Sequence, residues 1–431
     1  MTTATTSGSA PRHDSVLAGA VARFCREGHQ APPPGLRQGL PSSDRWRALA
    51  AAGTALWLDS GDADAVGKLW TREFAALTTN NTLLNKEVQK GIYDQLIPRA
   101  ADLLRKSDPK ISPERLVLEI AFILNAVHGL KLVRTFDADV SVELHTDLAR
   151  DTEASYQYGR RFHAIEPERF IIKIPLTPEG IVAARRLAAK KVRVNFTLGF
   201  SARQNQLIAL VACPAYVNVF MGRLNSFVED RKLGDGRNVG EKATLASQRA
   251  LRALNERRGT RVRQIGASIR SGRQCHALTG LDVLTIPTAA ADEYRKLELP
   301  AADVRDRTAE DPPAALNAGF DIAKEKLDVF WSVGGPLPGA LAALERENLD
   351  ALAGSDLVAF LSKHGLGDLF PRLTAAEAAD LSKDGKIPQY DRWKARVQAG
   401  TASWDGIFTE AALASFAADQ KALDDRVRKF I

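Results

Sequence analysis

The stretch RFIIKIPLTPEGIVAARRLAAKKVRVNFTL, residues 169–198, decides the fold. It opens on the short apolar run RFIIKIP (169–175), continues through EGIVAARRLAAKK (179–191), which reads as a helix, and closes on VRVNFTL (192–198). Strand, helix, strand in so short a span implies two parallel strands joined by a helical crossover. The same unit recurs in both directions. Upstream lie ALWLD (55–59), AALTTN (75–80) and VSVEL (140–144); downstream lie YVNVFM (216–221), QIGASIR (264–270) and VLTIP (283–287), with a further helix at ARQNQLIALVAC (202–213). Eight such units match an α/β fold, a closed (β/α)8 TIM barrel. A doubly wound open sheet satisfies the same pattern.

The flanks differ from this core. Residues 1–43 are rich in Thr, Ser, Ala, Gly and Pro, including Pro32-Pro33-Pro34, and read as a mobile N-terminal extension with room for one short helix around Val16–Phe24. Ser43 and Asp44 are good caps for a helix that leads into the barrel, residues 44–300. After Pro287 the strand signals stop, and residues 301–400 read as a helical insertion broken at Gly334-Gly335-Pro336 and Gly365-Leu366-Gly367. Residues 401–431 hold a C-terminal helix, clearest over 409–430. Its Leu413, Phe416, Leu423, Val427 and Phe430 form one apolar stripe that needs a partner, here the barrel.

Composition excludes several classes. Of 431 residues, 45% are apolar and 26% charged, so the chain can bury a large core. Cys25, Cys213 and Cys275 are odd in number and unclustered, which rules out a disulfide scaffold and a CxxC zinc or redox site. The seven histidines show no HxH or HExxH spacing, so no metal is expected. No stretch approaches about 18 consecutive apolar residues, so no membrane-spanning helix is expected. The start MTTATTSGSAPRHDS lacks the pattern of a secretory leader, and a reducing cytoplasm is the default compartment. The formal charge is +7, but 59 basic residues are interspersed with 52 acidic ones. The clusters RKLGDGR (231–237) and RALNERRGTRVR (252–263) read first as solvated surface, next as attraction for small anions such as sugar phosphates, and last as a nucleic-acid face. The segment Gly234 to Gly240 resembles GxGxxG with one residue too many and follows no clean strand, so no dinucleotide is expected there.

The strands carry polar tips. Residues i and i+2 share a face of a strand. Asp59 ends the first strand; Thr78 and Asn80 share a face on the second, and Ser141 and Glu143 on the third. Asn195 and Thr197 pair likewise on the fifth strand, Asn218 and Phe220 on the sixth, and Ser268 and Arg270 on the seventh. Polar groups at the C-terminal ends of barrel strands mark an active site in this architecture. Lys173, inside FIIKIP, is the sharpest signal. Taking an ammonium out of water is costly, and a neutral amine can attack a ketone to form a Schiff base. A lysine that snorkels to solvent from an edge strand is the bland alternative; six other polar-tipped strands favour chemistry. Asn80-Asn81-Thr82 and Asn195-Phe196-Thr197 match the glycosylation sequon but lie at strand ends, where the sequon is discounted.

In order, LDSGD, ALTTNN, VSVEL, IIKIPLT, VNFTLGFS, VFMGR and GASIR resemble the motifs of the transaldolase family, over about residues 44–295, and ALASFAADQKALDDRVRKFI resembles its C-terminal helix. The resemblance implies a Schiff-base lysine at Lys173 and a general acid/base at Asp59. Glu143 and Thr197 would position a catalytic water, and Asn80 and Asn195 would bind substrate hydroxyls. Arg223, Ser268 and Arg270 would hold a phosphate, with Phe220 beside the site. It implies transfer of a dihydroxyacetone unit between sugar phosphates, with no cofactor and no metal. Small-molecule sugar phosphates are then the partners, with no nucleic acid and no membrane, and a homodimer is allowed. The chain departs from the family pattern at Asn81, usually proline, and at Asn218, usually serine and near the expected Schiff base. It is also longer, at residues 1–43 and 305–400. Other readings are a lyase that releases free dihydroxyacetone, whose members carry glutamine and tyrosine where this chain has Glu143 and Phe220, a transaldolase with an unusual acceptor, and a non-catalytic sugar-phosphate sensor. Retention of Lys173, Asp59 and Glu143 together opposes the last.

Overall fold

A computed structural model describes residues 10–300 and 303–431. Eight strands follow in order: β1 (Ala55–Asp59), β2 (Phe74–Thr78), β3 (Asp139–Glu143), β4 (Phe170–Pro175), β5 (Val194–Thr197), β6 (Tyr216–Phe220), β7 (Arg263–Ala267) and β8 (Val283–Pro287). Each pairs in parallel with the next, and β8 pairs back onto β1. The sheet is a closed (β/α)8 barrel, and the open-sheet alternative falls. The crossover helices begin where the sequence supplies caps. Thr177 accepts from Gly180 N (2.9 Å) ahead of the helix Pro178–Ala188, and Ser201 accepts from Gln204 N (3.1 Å) ahead of Ala202–Val211. At the N-terminal end of the barrel, Trp57 and Tyr216 meet edge to face at 4.8 Å and fill the interior.

Five strands, β2, β4, β5, β6 and β7, are shorter than their sequences suggest, and at β2 and β7 this moves site residues. β7 stops at Ala267 because Ser268 turns to φ 60, a left-handed conformation that ends the ladder. β2 stops at Thr78, and Asn80 instead caps the helix Asn81–Gln89 by accepting from Leu83 N (2.8 Å). Asn80, Ser268 and Arg270 therefore sit on loops above the strands, not on strand faces.

Three further expectations are corrected, two in the flanks and one within the barrel. Residues 10–43 are not a loose extension. The helix Val16–Arg26 is capped by Ser15 and buries Ala18, Val21 and Cys25 against Leu96–Ser107, Pro113–Phe136 and Thr152–Ile165. The sequence allowed a short helix here, but not its packing against the barrel's helices; residues 1–9 lie outside the described residues. The helix Pro113–Phe136 is long and apolar enough to cross a bilayer, contrary to the run-length argument, because isolated polar residues interrupt its runs without lowering its average hydropathy. Its most apolar window is 83% buried inside the fold, and its Glu119 is held by both Arg161 nitrogens at 2.9 and 2.5 Å. It is a core helix. The segment after the barrel is largely irregular from 304 to 336, where Leu327–Phe330 forms a 3-10 turn. Proline, aspartate and glycine over 311–319 explain why. Helices follow at Leu337–Leu344, Gly354–Lys363, Ala375–Asp384 and Tyr390–Gln398.

The last helix, Trp404–Arg428, starts earlier than its apolar stripe because Ser403 caps it, accepting from Gly406 N at 3.3 Å. It docks on the barrel's mouth. Asp405 accepts from Arg203 Nε (2.8 Å), Arg203 Nη2 (2.7 Å) and Ser201 Oγ (2.7 Å), while Thr409 Oγ1 donates to Leu198 O (2.9 Å). Phe408 packs among Phe200, Phe227 and Phe330 at 5.0, 5.1 and 5.6 Å.

Candidate active site

A cavity of about 150 Å³ opens at the C-terminal end of the strands. All of the predicted site residues except Glu143 and Thr197 line it. Parallel register explains the convergence: Glu143 on β3, Lys173 on β4 and Asn195 on β5 are side by side, and Asp59 on β1 is level with Thr78 on β2. Residues level on neighbouring strands share a face, so one inward layer collects them.

Lys173 is buried. Its Nζ donates to Thr79 O (3.0 Å) and lies 3.8 Å from Glu143 Oε2. Glu143 stands behind the lysine, and burial pushes its carboxyl up to about 7, against the pull of Lys173. Its Oε2 also accepts from the backbone N–H of Asn81 (3.3 Å). A proline at that position would lack this donor, so the departure at Asn81 gives Glu143 an extra partner. Asp59 accepts from Thr78 Oγ1 (2.8 Å), which is in turn 2.6 Å from Thr285 Oγ1. Burial raises the Asp59 carboxyl, while Lys173 and the Thr78 hydroxyl act the other way. Two carboxyls with raised pKa thus flank one lysine, and Glu143, held at about 7, can pass protons near neutral pH.

Around this centre are polar atoms with no protein partner among the described residues: Asn195 Oδ1, Asn218 Oδ1 and Arg223 Nη1 on the cavity wall, and the buried Thr197 Oγ1. Buried polar groups are normally paired, so the wall suits a hydroxyl-rich ligand. The mouth is cationic. Arg223 is buried, with Phe220 and Phe416 rings 5.3 and 5.7 Å from its guanidinium; burial, then Arg270, lowers its pKa to about 10. The close approach of Arg223 to Arg270 depends on Gly222, where a Cβ would come within 2.1 Å of Ser268 O and 2.8 Å of the Arg270 side chain.

A family model described as transaldolase/fructose-6-phosphate aldolase matches residues 56–329. The chain belongs to this family. Relatives named transaldolase include one from Xanthomonas euvesicatoria pv. vesicatoria, 32% identical over 61% of this chain and 80% of the relative. Another, from Gloeobacter violaceus, is 28% identical over 70% of this chain and 80% of its own length, and one from Prochlorococcus marinus is 29% identical over 57% and 74%. Membership of the transaldolase family makes the chain an enzyme, a transferase of aldehyde or ketone residues.

The matched span ends before several residues that border the cavity. Phe416 and Lys386 line it from the C-terminal part of the chain, and Asp419 lends its charge to Arg223 and accepts from Thr82 Oγ1. Sequence reasoning placed Phe416 only on a packing stripe and missed Lys386, Asp419, Thr82 and Thr285. Nothing in a stripe tells which of its residues meets the mouth. Thr82 lies in the first turn of the helix Asn81–Gln89 and Thr285 in the middle of β8, so neither offered the strand-end signal used for the other residues. Among the described residues, His145, Asp147 and Asp424 form a group with potential ligand atoms within 4.8 Å. Both ring nitrogens of His145 are already engaged, Nδ1 by Asp147 N (3.1 Å) and Nε2 by Asp424 Oδ1 (3.3 Å), which ties β3's loop to the last helix.

Proposed function

We propose that the enzyme carries a dihydroxyacetone unit from a ketose phosphate to an aldose phosphate through a Schiff base on Lys173. Sedoheptulose 7-phosphate or fructose 6-phosphate would be the donor, and glyceraldehyde 3-phosphate or erythrose 4-phosphate the acceptor. One juxtaposition carries the reading: a buried lysine 3.8 Å from a carboxyl pushed up to about 7, with Asp59 on the same cavity.

The amine of Lys173 attacks C2 of the ketose, and the C2 oxygen becomes a carbinolamine hydroxyl. Glu143, acting through a water held with Thr197, gives that hydroxyl a proton and water leaves, which produces an iminium. Asp59 takes the proton of the C4 hydroxyl. The C3–C4 bond breaks, its electron pair flows into the iminium, and an aldose phosphate departs from a three-carbon enamine on Lys173. The enamine carbon then attacks the aldehyde of the second sugar, whose oxygen receives the proton from Asp59. Hydrolysis of the new iminium frees the product and the lysine. Arg223 and Arg270, with Ser268, grip the phosphate by charge-assisted hydrogen bonds, and Asn80 and Asn195 orient hydroxyls. Two substrates sharing one covalent intermediate give ping-pong kinetics.

Incubation with fructose 6-phosphate followed by borohydride and peptide mass spectrometry tests this. A three-carbon adduct on Lys173, lost in Lys173→Ala along with turnover, is expected. An adduct on another residue, or appreciable turnover by folded Lys173→Ala, overturns the mechanism.

A further inference from the structure

We infer that Lys386 is a third cationic ligand for the substrate's terminal phosphate, delivered to the barrel mouth by the segment that follows the family match. The inference rests on the phosphate subsite proposed at Arg223 and Arg270.

Three observations carry it. First, Lys386 lines the same cavity as Arg223, Ser268 and Arg270, although it lies well beyond the matched residues 56–329. Second, its loop is held at that place. Arg231 Nε donates to Pro388 O (3.0 Å) and Arg231 Nη2 to Ile387 O (2.9 Å), which clamps the loop to the end of the helix Met221–Asp230 that carries Arg223. On the other side, Asp384 accepts from Gln389 N (3.0 Å) and from Trp393 Nε1 (2.8 Å), and Gly385 makes the turn at φ 75. Third, Lys386 has no hydrogen bond or ion pair among the described residues, whereas neighbouring Lys383 and Lys394 pair with Asp380 (3.0 Å) and Glu325 (3.4 Å).

The charge balance shows what is wanted there. Burial lowers the Lys386 pKa, Arg223, Lys86 and Arg270 lower it further, and Asp419 alone opposes them. That carboxylate also serves Thr82 and Arg223. Arg223, Arg270 and Lys386, with Lys86 close enough to act on the last, thus bring an excess of positive charge to one mouth, opposed by Asp419 and, at Arg223, by Glu143. A cluster of like charges in a partly desolvated site is costly until an anion of matching charge enters. A phosphate dianion balances the cluster. Two arginines supply planar forks, and the lysine supplies a mobile point charge that closes on the third oxygen.

Calorimetric titration of the full chain with inorganic phosphate at low ionic strength tests this without requiring turnover. Lys386→Ala and Arg223→Ala should each raise the phosphate Kd about tenfold, and Lys386→Arg should restore it to within about twofold. The KM for fructose 6-phosphate should rise by a similar factor in Lys386→Ala. Lys386→Gln gives a second neutral variant, and thermal melts confirm that each protein is folded. Phosphate binding within about twofold of the parent in both neutral variants, while Arg223→Ala loses it, would overturn the inference; so would a parent that binds no phosphate. Lysine-dependent phosphate binding without a borohydride adduct would instead uphold Lys386 and remove the Schiff-base reading.

Discussion

Glu143 is the carboxyl that stands against Lys173, its Oε2 3.8 Å from Nζ. Its folded pKa, about 7, lies above the ordinary glutamate value near 4.5. The folded protein therefore keeps a proton that the unfolded chain gives up across that window. Stability is fully present below about pH 4.5 and falls as pH rises towards 7. Glu143→Gln should flatten this fall and raise stability at pH 8 by on the order of 2 kcal/mol, read from melts at pH 5 and pH 8. The same change should cost about a hundredfold in kcat and abolish the pH-rate limb near 7; a retained limb would assign it to another group. Asn81→Pro is a finer probe. Proline is tolerated in the first turn of a helix, so the helix Asn81–Gln89 should survive. Loss of the Asn81 N–H removes a bond that lowers the Glu143 pKa, so the limb should move to higher pH. These residues were legible because lysine, glutamate and asparagine interrupt apolar strands on inward positions. Lys386 was not legible, since a lysine between Gly385 and Ile387 looks like any solvated turn.

At the level of elements, strand ends and helix starts set the site's geometry, and glycine sets how closely they approach. The helix Met221–Asp230 leans on the loop after β7 at Gly222. Gly222→Ala should force Ser268 and the Arg270 side chain away, because a Cβ would meet the Ser268 carbonyl at 2.1 Å. The expected outcome is a rise of about tenfold in KM for phosphorylated substrates, with the Lys173 adduct still formed at saturating fructose 6-phosphate. An unchanged KM would mean that the two arginines do not act as one clamp. All eight strands could be read from short apolar runs, because parallel barrel strands are buried on both faces. Their exact ends could not. Ser268 leaves β7 through a left-handed turn, a conformation that serine seldom adopts and that its sequence does not announce. The helix Val16–Arg26 was legible as a short helix over Val16–Phe24, but its docking was not, because three buried residues make too short a stripe to name a partner.

On the scale of the whole molecule, basic residues on the barrel's outer helices bind the C-terminal segment to it. Arg231 takes two carbonyls of the Lys386 loop, Arg252 donates to Thr308 Oγ1 (2.6 Å), and Arg257 and Arg258 both reach Glu345 at 3.0 and 2.7 Å. The basic clusters at 231–237 and 252–263, read from sequence as solvated faces, supply these contacts. Partners some 56 to 157 positions away are invisible to local pattern. Exposed pairs of this kind contribute little each, about 0–1 kcal/mol, so the buried contact of Arg203 with Asp405 should dominate the docking. Burial works to raise the Asp405 carboxyl, but Arg203 and its hydrogen bonds win and hold it below the ordinary value. A depressed carboxylate stabilises above its unfolded pKa, near 3.8, and that stability is lost as pH falls through the lower folded value. Asp405→Ala leaves Arg203 with Asp368 alone, at 2.9 Å. Breaking a buried pair costs about 3–5 kcal/mol, and the surviving partner favours the lower end. With the last helix closing over the mouth, barrel and segment should melt together. Calorimetry should then show one transition in the parent and one in Asp405→Ala, lowered by about 5 °C at pH 7. The difference should begin to shrink below about pH 4 and vanish only once pH falls through the lower folded value, where the parent loses the same pair. Two separated transitions in the variant would show instead that the segment is an independent unit, and its grip on the active site through Phe416 and Lys386 would then be a docking equilibrium rather than a fixed part of the fold.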